Sequence, residues 1–216
     1  MTVPQKIDLH LSVPSRLRGE TPVVPLAVMA LVILLAGVPR AASAAEEQPA
    51  SGADPHREVA TLAGGCFWGM EEILRKIPGV TSTRVGYTGG TTSHPSYDEV
   101  HAGGTGHAEA VEVVFDPTKI SYEQLLGYFF RMHDPTTPNR QGNDIGTSYR
   151  SAIFYHSEAQ RQTAERVKER VDKSGKWPAP VVTEIVAAGE FWPAEEYHQK
   201  YLQKNRGGYT CHYLRE

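Results

Sequence analysis

Cys66 is the residue whose type and setting best suit covalent chemistry. It lies in the glycine-rich run 64–69, between an apolar segment and a stretch with helical spacing. A thiol at a helix N-terminus meets unpaired N–H groups and the helix dipole, which lower its pKa and favour the reactive thiolate. The glycines would leave the sulfur approachable, and Phe67 and Trp68 would be apolar walls for a small substrate group. The sequence therefore predicts a nucleophilic cysteine, although both aromatic residues also fit an ordinary core role.

Cys211 is the other of the chain's two cysteines and lies close to its end. It belongs to a segment that we predict to be a mobile tail from about residue 206. A thiol on such a tail could attack an oxidised Cys66 and release it as a disulfide, which is the role of a resolving cysteine. The alternative is a permanent structural disulfide between the two cysteines. Sequence alone leaves both roles open.

Glu109 is a candidate general acid. In the predicted strand 107–115, the two-residue period places it on one face with Val111, Val113 and Phe115. A carboxyl group among apolar neighbours is desolvated, which raises its pKa and keeps it protonated, as a general acid requires. The alternative is a solvent-exposed glutamate, the usual state of a lone Glu on a strand.

Three further side chains could line the same site. Tyr97 lies in a long loop and Tyr149 at the start of a predicted strand, and both could donate phenolic hydrogen bonds at its rim. Asp144 lies in a second long loop, where the ordinary role of an aspartate is to stabilise a turn. The histidines at 94, 101 and 107 match no metal-binding spacing, so we predict loop or surface positions for them and no metal or organic cofactor.

The elements that must position these residues follow from hydrophobic periodicity and turn residues. Strands are predicted at residues 59–63, 80–87, 107–115, 149–155 and 181–187. Helices are predicted at residues 67–77, after the capping box of Ser121 and Gln124, from the capping box of Ser157 and Gln160 to about Lys173, and from Pro193 to about Asn205. The first six elements, β-α-β-β-α-β, have the ferredoxin-like order. We predict an α/β (α+β) two-layer sandwich with a ferredoxin-like core, a mixed sheet and long loops at one rim.

The first 44 residues have the pattern of a secretory signal peptide. Basic residues precede an uncharged stretch, and Ala42 and Ala44 have the spacing of a signal-peptidase site, so we expect cleavage after Ala44. The strongly apolar part, residues 26–38, is shorter than the ~20 residues of a spanning helix, but an uncleaved segment would be a membrane anchor. Residues 45–57 are predicted to be a linker. The expected location is therefore outside the cytoplasm, in the periplasm.

Charge excludes two classes of partner. Removing the four basic and two acidic residues of segment 1–44 from totals of 22 and 25 leaves 18 basic and 23 acidic residues, a net charge of −5. No basic block remains, so nucleic acid and anionic membranes are poor candidates. A small or peptide-like substrate fits better, and nothing in the sequence requires more than a monomer.

Several separate motifs resemble the A-type peptide methionine sulfoxide reductases. They are Gly65-Cys66-Phe67-Trp68-Gly69, Gly86-Tyr87-Thr88-Gly89-Gly90, Gly106-His107-Ala108-Glu109-Ala110-Val111, Arg140-Gln141-Gly142-Asn143-Asp144 and Tyr149-Arg150-Ser151-Ala152. The resemblance covers roughly residues 59–211 and implies a catalytic domain at 58–216.

The resemblance also implies roles. Cys66 would be the nucleophile, Glu109 the acid for the sulfoxide oxygen, and Tyr97 and Tyr149 its hydrogen-bonding partners. The methyl group would lie between Phe67 and Trp68, Asp144 would support bound substrate, and Cys211 would be the resolving cysteine. The implied activity is repair of oxidative damage by reduction of the S epimer of methionine sulfoxide, free or in proteins. Thioredoxin or, outside the cytoplasm, a periplasmic thioredoxin-like dithiol would then reduce the disulfide.

Two other functions fit parts of the sequence. A non-catalytic exported binding domain with one structural disulfide would have an inert, buried Cys66. A cysteine hydrolase would use one of the nine histidines as base, such as His107 or His198, although no triad-like pattern favours it.

Overall fold

A computed structural model describes residues 54–216. The predicted signal peptide and most of the predicted linker lie outside the described residues. Within 54–216, no helix is both long and apolar enough to cross a membrane.

A six-stranded sheet is the frame of the domain. Its strands are β1 (Glu58–Gly64), β2 (Val80–Thr88), β3 (Ala108–Phe115), β6 (Ser151–Tyr155), β7 (Glu184–Ala187) and β8 (Trp192–Pro193). Their order across the sheet is β7-β6-β1-β3-β2-β8, and every neighbouring pair is antiparallel except β6 and β7, which are parallel. The central order β6-β1-β3-β2 is that of a ferredoxin-like sheet, so the predicted mixed sheet and ferredoxin-like core are confirmed.

Five helices and one hairpin complete the domain. The helices are α1 (Phe67–Leu74), α2 (Tyr97–Ala102), α3 (Tyr122–Met132), α4 (Glu158–Asp172) and α5 (Tyr201–Lys204); the hairpin strands are β4 (Arg140–Gln141) and β5 (Asp144–Ile145). The main core lies between the sheet and the helices, with Phe67, Leu125 and Phe129 fully buried. A smaller cluster of Ala63, Ala108, Ala110, Ala152 and Phe154 packs with Ala188 and Phe191.

Capping residues explain two helix starts. The reciprocal capping box at Ser121 and Gln124 is present, as predicted. At α4, the Ser157 hydroxyl caps the Gln160 N–H, but the Gln160 side chain accepts from His156 N and donates to Glu58 and Val59. The second box is therefore only half formed, because the glutamine amide joins α4 to β1.

Three element predictions were wrong. The first long loop contains α2, which begins at its own capping box of Ser96 and Glu99. Tyr149 lies in a short 3-10 turn, Thr147–Tyr149, just before β6. Pro193 does not open the final helix, because Trp192–Pro193 pairs with Tyr87 and Gly86 of β2 and the helix is limited to Tyr201–Lys204.

Candidate active site

A cavity of about 160 Å³ lies beside the N-terminus of α1. Its lining brings together residues that are far apart in the chain: Cys66, Phe67, Trp68, Tyr97, His101, Glu109, Asp144, Tyr149 and Tyr209. Seven of the eight residues singled out in the sequence line this cavity, and the eighth, Cys211, lies next to it. Among residues 54–216, no group of three or more His, Cys, Asp or Glu side chains could hold a metal ion.

Cys66 occupies the N-cap position of α1, where β1 ends. Its side chain is 7% exposed, and burial is the main reason that the pKa of the Cys66 thiol is raised. The charge of Glu109 raises it further, while hydrogen bonding by the Trp68 backbone lowers it. The prediction that the helix N-terminus lowers the pKa of Cys66 is therefore wrong for this structure, because burial raises that pKa.

The glycines around Cys66 make room for protein rather than for substrate. Gly65 has φ +104°, a left-handed conformation that favours glycine, and a Cβ there would lie 2.5 Å from the Gln141 side chain. A Cβ on Gly69 would lie 2.3 Å from Thr210 Oγ1 and 2.6 Å from His212 Nδ1. We predicted that these glycines expose the sulfur, and this prediction was wrong. They instead allow the hairpin and the C-terminal tail to pack against the start of α1.

Glu109 lies on the core face of β3, opposite Tyr87 of β2, and is 2% exposed. Its Oε2 accepts a hydrogen bond of 3.0 Å from the backbone N–H of Phe67, the first residue of α1. Burial raises the pKa of this carboxyl group to about 8, with a smaller upward effect from Asp144, and the Phe67 N–H opposes both. At neutral pH the group is therefore mostly protonated and can donate a proton into the cavity.

Tyr97 and Tyr149 approach the cavity from α2 and from the 3-10 turn. Tyr97 is the first residue of α2, and its backbone N–H donates to Glu195 Oε1 at 2.9 Å. The Tyr149 hydroxyl lies 3.2 Å from His101 Nδ1. Burial raises the pKa of both phenols, that of Tyr97 to about 12, so both hydroxyls retain their protons and can donate hydrogen bonds.

Phe67 and Trp68 form the apolar side of the cavity. Phe67 is fully buried and packs on the rings of Tyr87 and His198, so it also serves the core. The Trp68 ring stacks on Tyr201, with centroids 3.8 Å apart, and its Nε1–H donates to His198 Nδ1 at 2.9 Å. Both rings are thus held in place before any substrate binds.

Asp144 joins the cavity to the C-terminal tail. It belongs to β5, and its carboxylate accepts hydrogen bonds from the Tyr209 hydroxyl at 3.1 Å and from Cys211 Sγ at 3.3 Å. The hairpin of β4 and β5 therefore holds the tail against the cavity. The sequence was also compatible with a simple turn role for Asp144, but in the structure Asp144 contacts the Cys211 thiol directly.

The tail, expected to be mobile, is bonded to the domain at several points. Besides the contacts to Asp144, His212 donates to Gly64 O at 2.8 Å and Arg215 N donates to Arg131 O at 2.9 Å. Cys66 and Cys211 are both free thiols. Cys66 lines the cavity together with Asp144, and Cys211 contacts the Asp144 carboxylate. The two thiols therefore belong to the same site without being joined.

Sequence reasoning missed several residues around the cavity. His101 and Tyr209 line it, and Glu195 and His198 hold Tyr97 and Trp68. Proximity to Cys211 in the sequence was a usable signal for Tyr209. His101 and His198 were considered only as a loop residue and as a hydrolase base, and nothing local marked Glu195. The prediction that the loop histidines lie at the surface was wrong for His107, which is 2% exposed and hydrogen-bonds Gly90 N and Thr92 O.

The two alternative functions lose support at this site. His101, which lines the cavity, and His198 are hydrogen-bonded to Tyr149 and Trp68, and neither is hydrogen-bonded to Cys66, so they do not form a nucleophile–base pair with it. A purely structural disulfide is not formed either, because both thiols are free. The arrangement instead combines a thiol, a protonated carboxyl group, two phenols and a second thiol.

The sequence of this chain is similar to those of a known enzyme family. A family model described as peptide methionine sulfoxide reductase matches residues 58–216. A protein of Nocardia farcinica named peptide methionine sulfoxide reductase MsrA is 61% identical over 156 residues, which cover 72% of this chain and 89% of the relative.

This chain is also similar to solved structures of yeast Mxr1. Mxr1 of Saccharomyces cerevisiae in reduced form has 43% sequence identity and a TM-score of 0.71, covering 74% of this chain and 93% of the yeast chain. A second yeast structure, Mxr1 in complex with Trx2, has 31% identity and a TM-score of 0.51 over 76% and 94% of the two chains. This chain therefore belongs to the peptide methionine sulfoxide reductase family and is an oxidoreductase that reduces methionine sulfoxide.

Proposed function

We propose that Cys66 is the nucleophile that reduces the S epimer of methionine sulfoxide, free or in oxidised proteins. The observation that carries this assignment is a single cavity of about 160 Å³ lined by Cys66, Glu109, Tyr97 and Tyr149. A sulfoxide needs a nucleophile for its sulfur and proton donors for its oxygen, and these four side chains supply both. Phe67 and Trp68 offer an apolar wall for the methyl group.

In the first step, Cys66 Sγ attacks the sulfoxide sulfur while Glu109 gives its proton to the oxygen. The hydroxyls of Tyr97 and Tyr149 stabilise the charge that develops on that oxygen. The thiol proton of Cys66 replaces the one that Glu109 has lost. The hydroxyl formed on the substrate then moves to Cys66 Sγ, as the S–O bond of the substrate and the new bond between the two sulfurs break, so methionine leaves and Cys66 becomes a sulfenic acid.

In the second step, Cys211 attacks the oxidised sulfur of Cys66. The sulfenic S–O bond breaks, a disulfide forms between Cys66 and Cys211, and the oxygen leaves as water. The two thiols together supply the two electrons that reduce one sulfoxide. The hydrogen bond from Cys211 to Asp144, which lines the cavity together with Cys66, supports this pairing.

A thioredoxin-like dithiol protein then reduces the disulfide and resets the enzyme. The yeast relative Mxr1 has been solved in complex with Trx2, which supports a donor of this class. No metal or organic cofactor takes part in this scheme.

We further propose that the chain is exported and that its reductant is a periplasmic thioredoxin-like protein. The support is the pattern of residues 1–44, with cleavage after Ala44. N-terminal sequencing of the exported protein should find a chain that begins at Ala45. A chain that still carries residues 1–40 would contradict cleavage and indicate a membrane anchor.

The residue roles are tested by turnover of the separated epimers of a methionine sulfoxide substrate, with dithiothreitol as reductant. The wild type should consume the S epimer and leave the R epimer. Without dithiothreitol, Cys211→Ser should still release one methionine per chain, because its first step is intact, but it should form no internal disulfide. If Cys211→Ser failed even in this first turnover, its assignment as resolving cysteine would be wrong.

A further inference from the structure

The imidazole of His212 lies between the end of β1 and the second thiol. Its Nε2 is 2.8 Å from Gly64 O, and its Nδ1 is 3.4 Å from Cys211 Sγ. The ring is 8% exposed, and the backbone N–H of His212 donates to Thr210 Oγ1 at 3.1 Å. Glycine at position 69 leaves the space that the ring and Thr210 occupy. The ring is therefore held in one orientation toward the thiol.

The contact with Gly64 decides which ring nitrogen carries the proton. A carbonyl oxygen can only accept a hydrogen bond, so Nε2 must be the N–H that donates to Gly64 O. A neutral imidazole has only one N–H, so Nδ1 carries a lone pair. That lone pair faces Cys211 Sγ. Burial lowers the pKa of His212, which keeps the ring neutral and able to accept a proton near pH 7.

Cys211 needs such an acceptor. Burial and the Asp144 carboxylate raise the pKa of its thiol to about 12, and the Cys66 backbone N–H only partly opposes this. Thiol–disulfide chemistry proceeds through the thiolate, which at that pKa is roughly one part in 10⁵ at pH 7. An unassisted Cys211 would therefore be a slow nucleophile in the second step.

We propose that His212 is the general base that deprotonates Cys211 for its attack on oxidised Cys66, an inference that rests on the proposed function. His212 Nδ1 takes the S–H proton as the sulfur–sulfur bond forms and the Cys66 S–O bond breaks. The leaving hydroxide takes the same proton back from the imidazolium and becomes water. Cys211 sulfur is oxidised, Cys66 sulfur is reduced, and His212 returns to its neutral form.

Asp144 is the competing acceptor, because its Oδ2 lies 3.3 Å from the same sulfur. Both of its carboxylate oxygens already accept from the Tyr209 hydroxyl, and its charge raises the thiol pKa rather than assisting ionisation. The free lone pair of His212, by contrast, faces the thiol. The other titratable or charged groups that act on His212 are Arg215 and, across Gly64, His133.

His212→Gln is the discriminating variant. Glutamine can place an N–H near the position of Nε2 and so keep the bond to Gly64, but it has no base at the position of Nδ1. The full-length protein is mixed with one equivalent of methionine S-sulfoxide without reductant, and methionine release and formation of the Cys66–Cys211 disulfide are followed separately. Methionine release should stay within about twofold of wild type, while disulfide formation should slow about 100-fold at pH 7.

The pH profile separates a base from a structural support. The rate constant for conversion of the Cys66 sulfenic acid to the disulfide should be independent of pH between about 7 and 9 in the wild type. In His212→Gln this rate constant should rise about tenfold per pH unit, because hydroxide must then form the thiolate. In the variant, Cys66 sulfenic acid should accumulate and react with dimedone. Thr210→Ala loosens the tail but keeps the imidazole, and it should retain the flat wild-type profile.

Three results would overturn the proposal. One is a wild-type rate of disulfide formation in His212→Gln, and another is a slower rate of disulfide formation with an unchanged flat pH profile, which a structural role would give. The third is Asp144→Asn acquiring the steep profile while His212→Gln does not. The wild type alone also provides a test, because a tenfold rise in its rate of disulfide formation per pH unit through pH 9 would exclude any internal base. Failure of the wild type to release methionine would instead contradict the proposed function itself.

Discussion

Cys66→Ser is expected to lower methionine release by roughly 10⁴-fold or more, a loss typical of removing an essential nucleophile. A serine hydroxyl does not ionise near neutral pH, and it cannot form a sulfenic acid or a disulfide. The measurement is methionine formed from the S-sulfoxide with excess dithiothreitol, compared with the reaction that dithiothreitol gives alone.

The fold should tolerate this change. Cys66 is the N-cap of α1 and makes no side-chain capping bond, whereas serine is a favoured N-cap that contributes about 1 kcal/mol over residues that cannot cap. Thermal unfolding of Cys66→Ser should therefore match or exceed the wild type. Substantial turnover by this stable variant would refute the nucleophile assignment.

Glu109→Gln is expected to lower kcat by about 10²- to 10⁴-fold, the contribution typical of a general acid. Glutamine keeps an oxygen that can accept from Phe67 N–H, so the contact between β3 and α1 is preserved while the acidic proton is lost. The measurement is steady-state reduction of the S-sulfoxide at saturating dithiothreitol.

The pH dependence gives a second readout for Glu109. Burial raises its pKa to about 8, so the acid is present below that pH and is lost as pH rises through it. Wild-type kcat should therefore fall on the alkaline side of pH 8, and Glu109→Gln should lack this decline. Glu112→Gln is a matched control on the same strand, since Glu112 pairs with Arg84 and does not line the cavity. Equal losses in both variants would exclude a specific role for Glu109.

Local signals in the sequence were sufficient for the framework of the fold. Hydrophobic periodicity predicted β1, β2 and β3, and the capping box of Ser121 predicted the start of α3. The observed bounds of these elements differ from the predicted ones by only a few residues. Helix α2 was missed because six residues inside a long loop carry little periodicity, although Ser96 and Glu99 formed a readable capping box. Pro193 was misread because its pairing with β2 depends on contacts more than a hundred residues apart.

The site residues could be found from motifs, but their environment could not. The pKa of Cys66 depends on how much water the folded domain removes, and this burial involves β3, the hairpin and the tail. The roles of Gly65 and Gly69 in admitting Gln141, Thr210 and His212 are equally tertiary. His212 and Tyr209 flank Cys211 in sequence, yet only the folded tail shows that they contact Cys211 and Asp144.

In the proposed reaction, one pair of thiols, Cys66 and Cys211, supplies the two electrons for each sulfoxide. The most direct test is to react the reduced protein with one equivalent of methionine S-sulfoxide without reductant, count methionine and free thiols, and map the crosslink by peptide mass spectrometry. We expect one methionine per chain, loss of both free thiols, and a disulfide that joins the peptides containing Cys66 and Cys211. Release of methionine while both thiols stay free would contradict it.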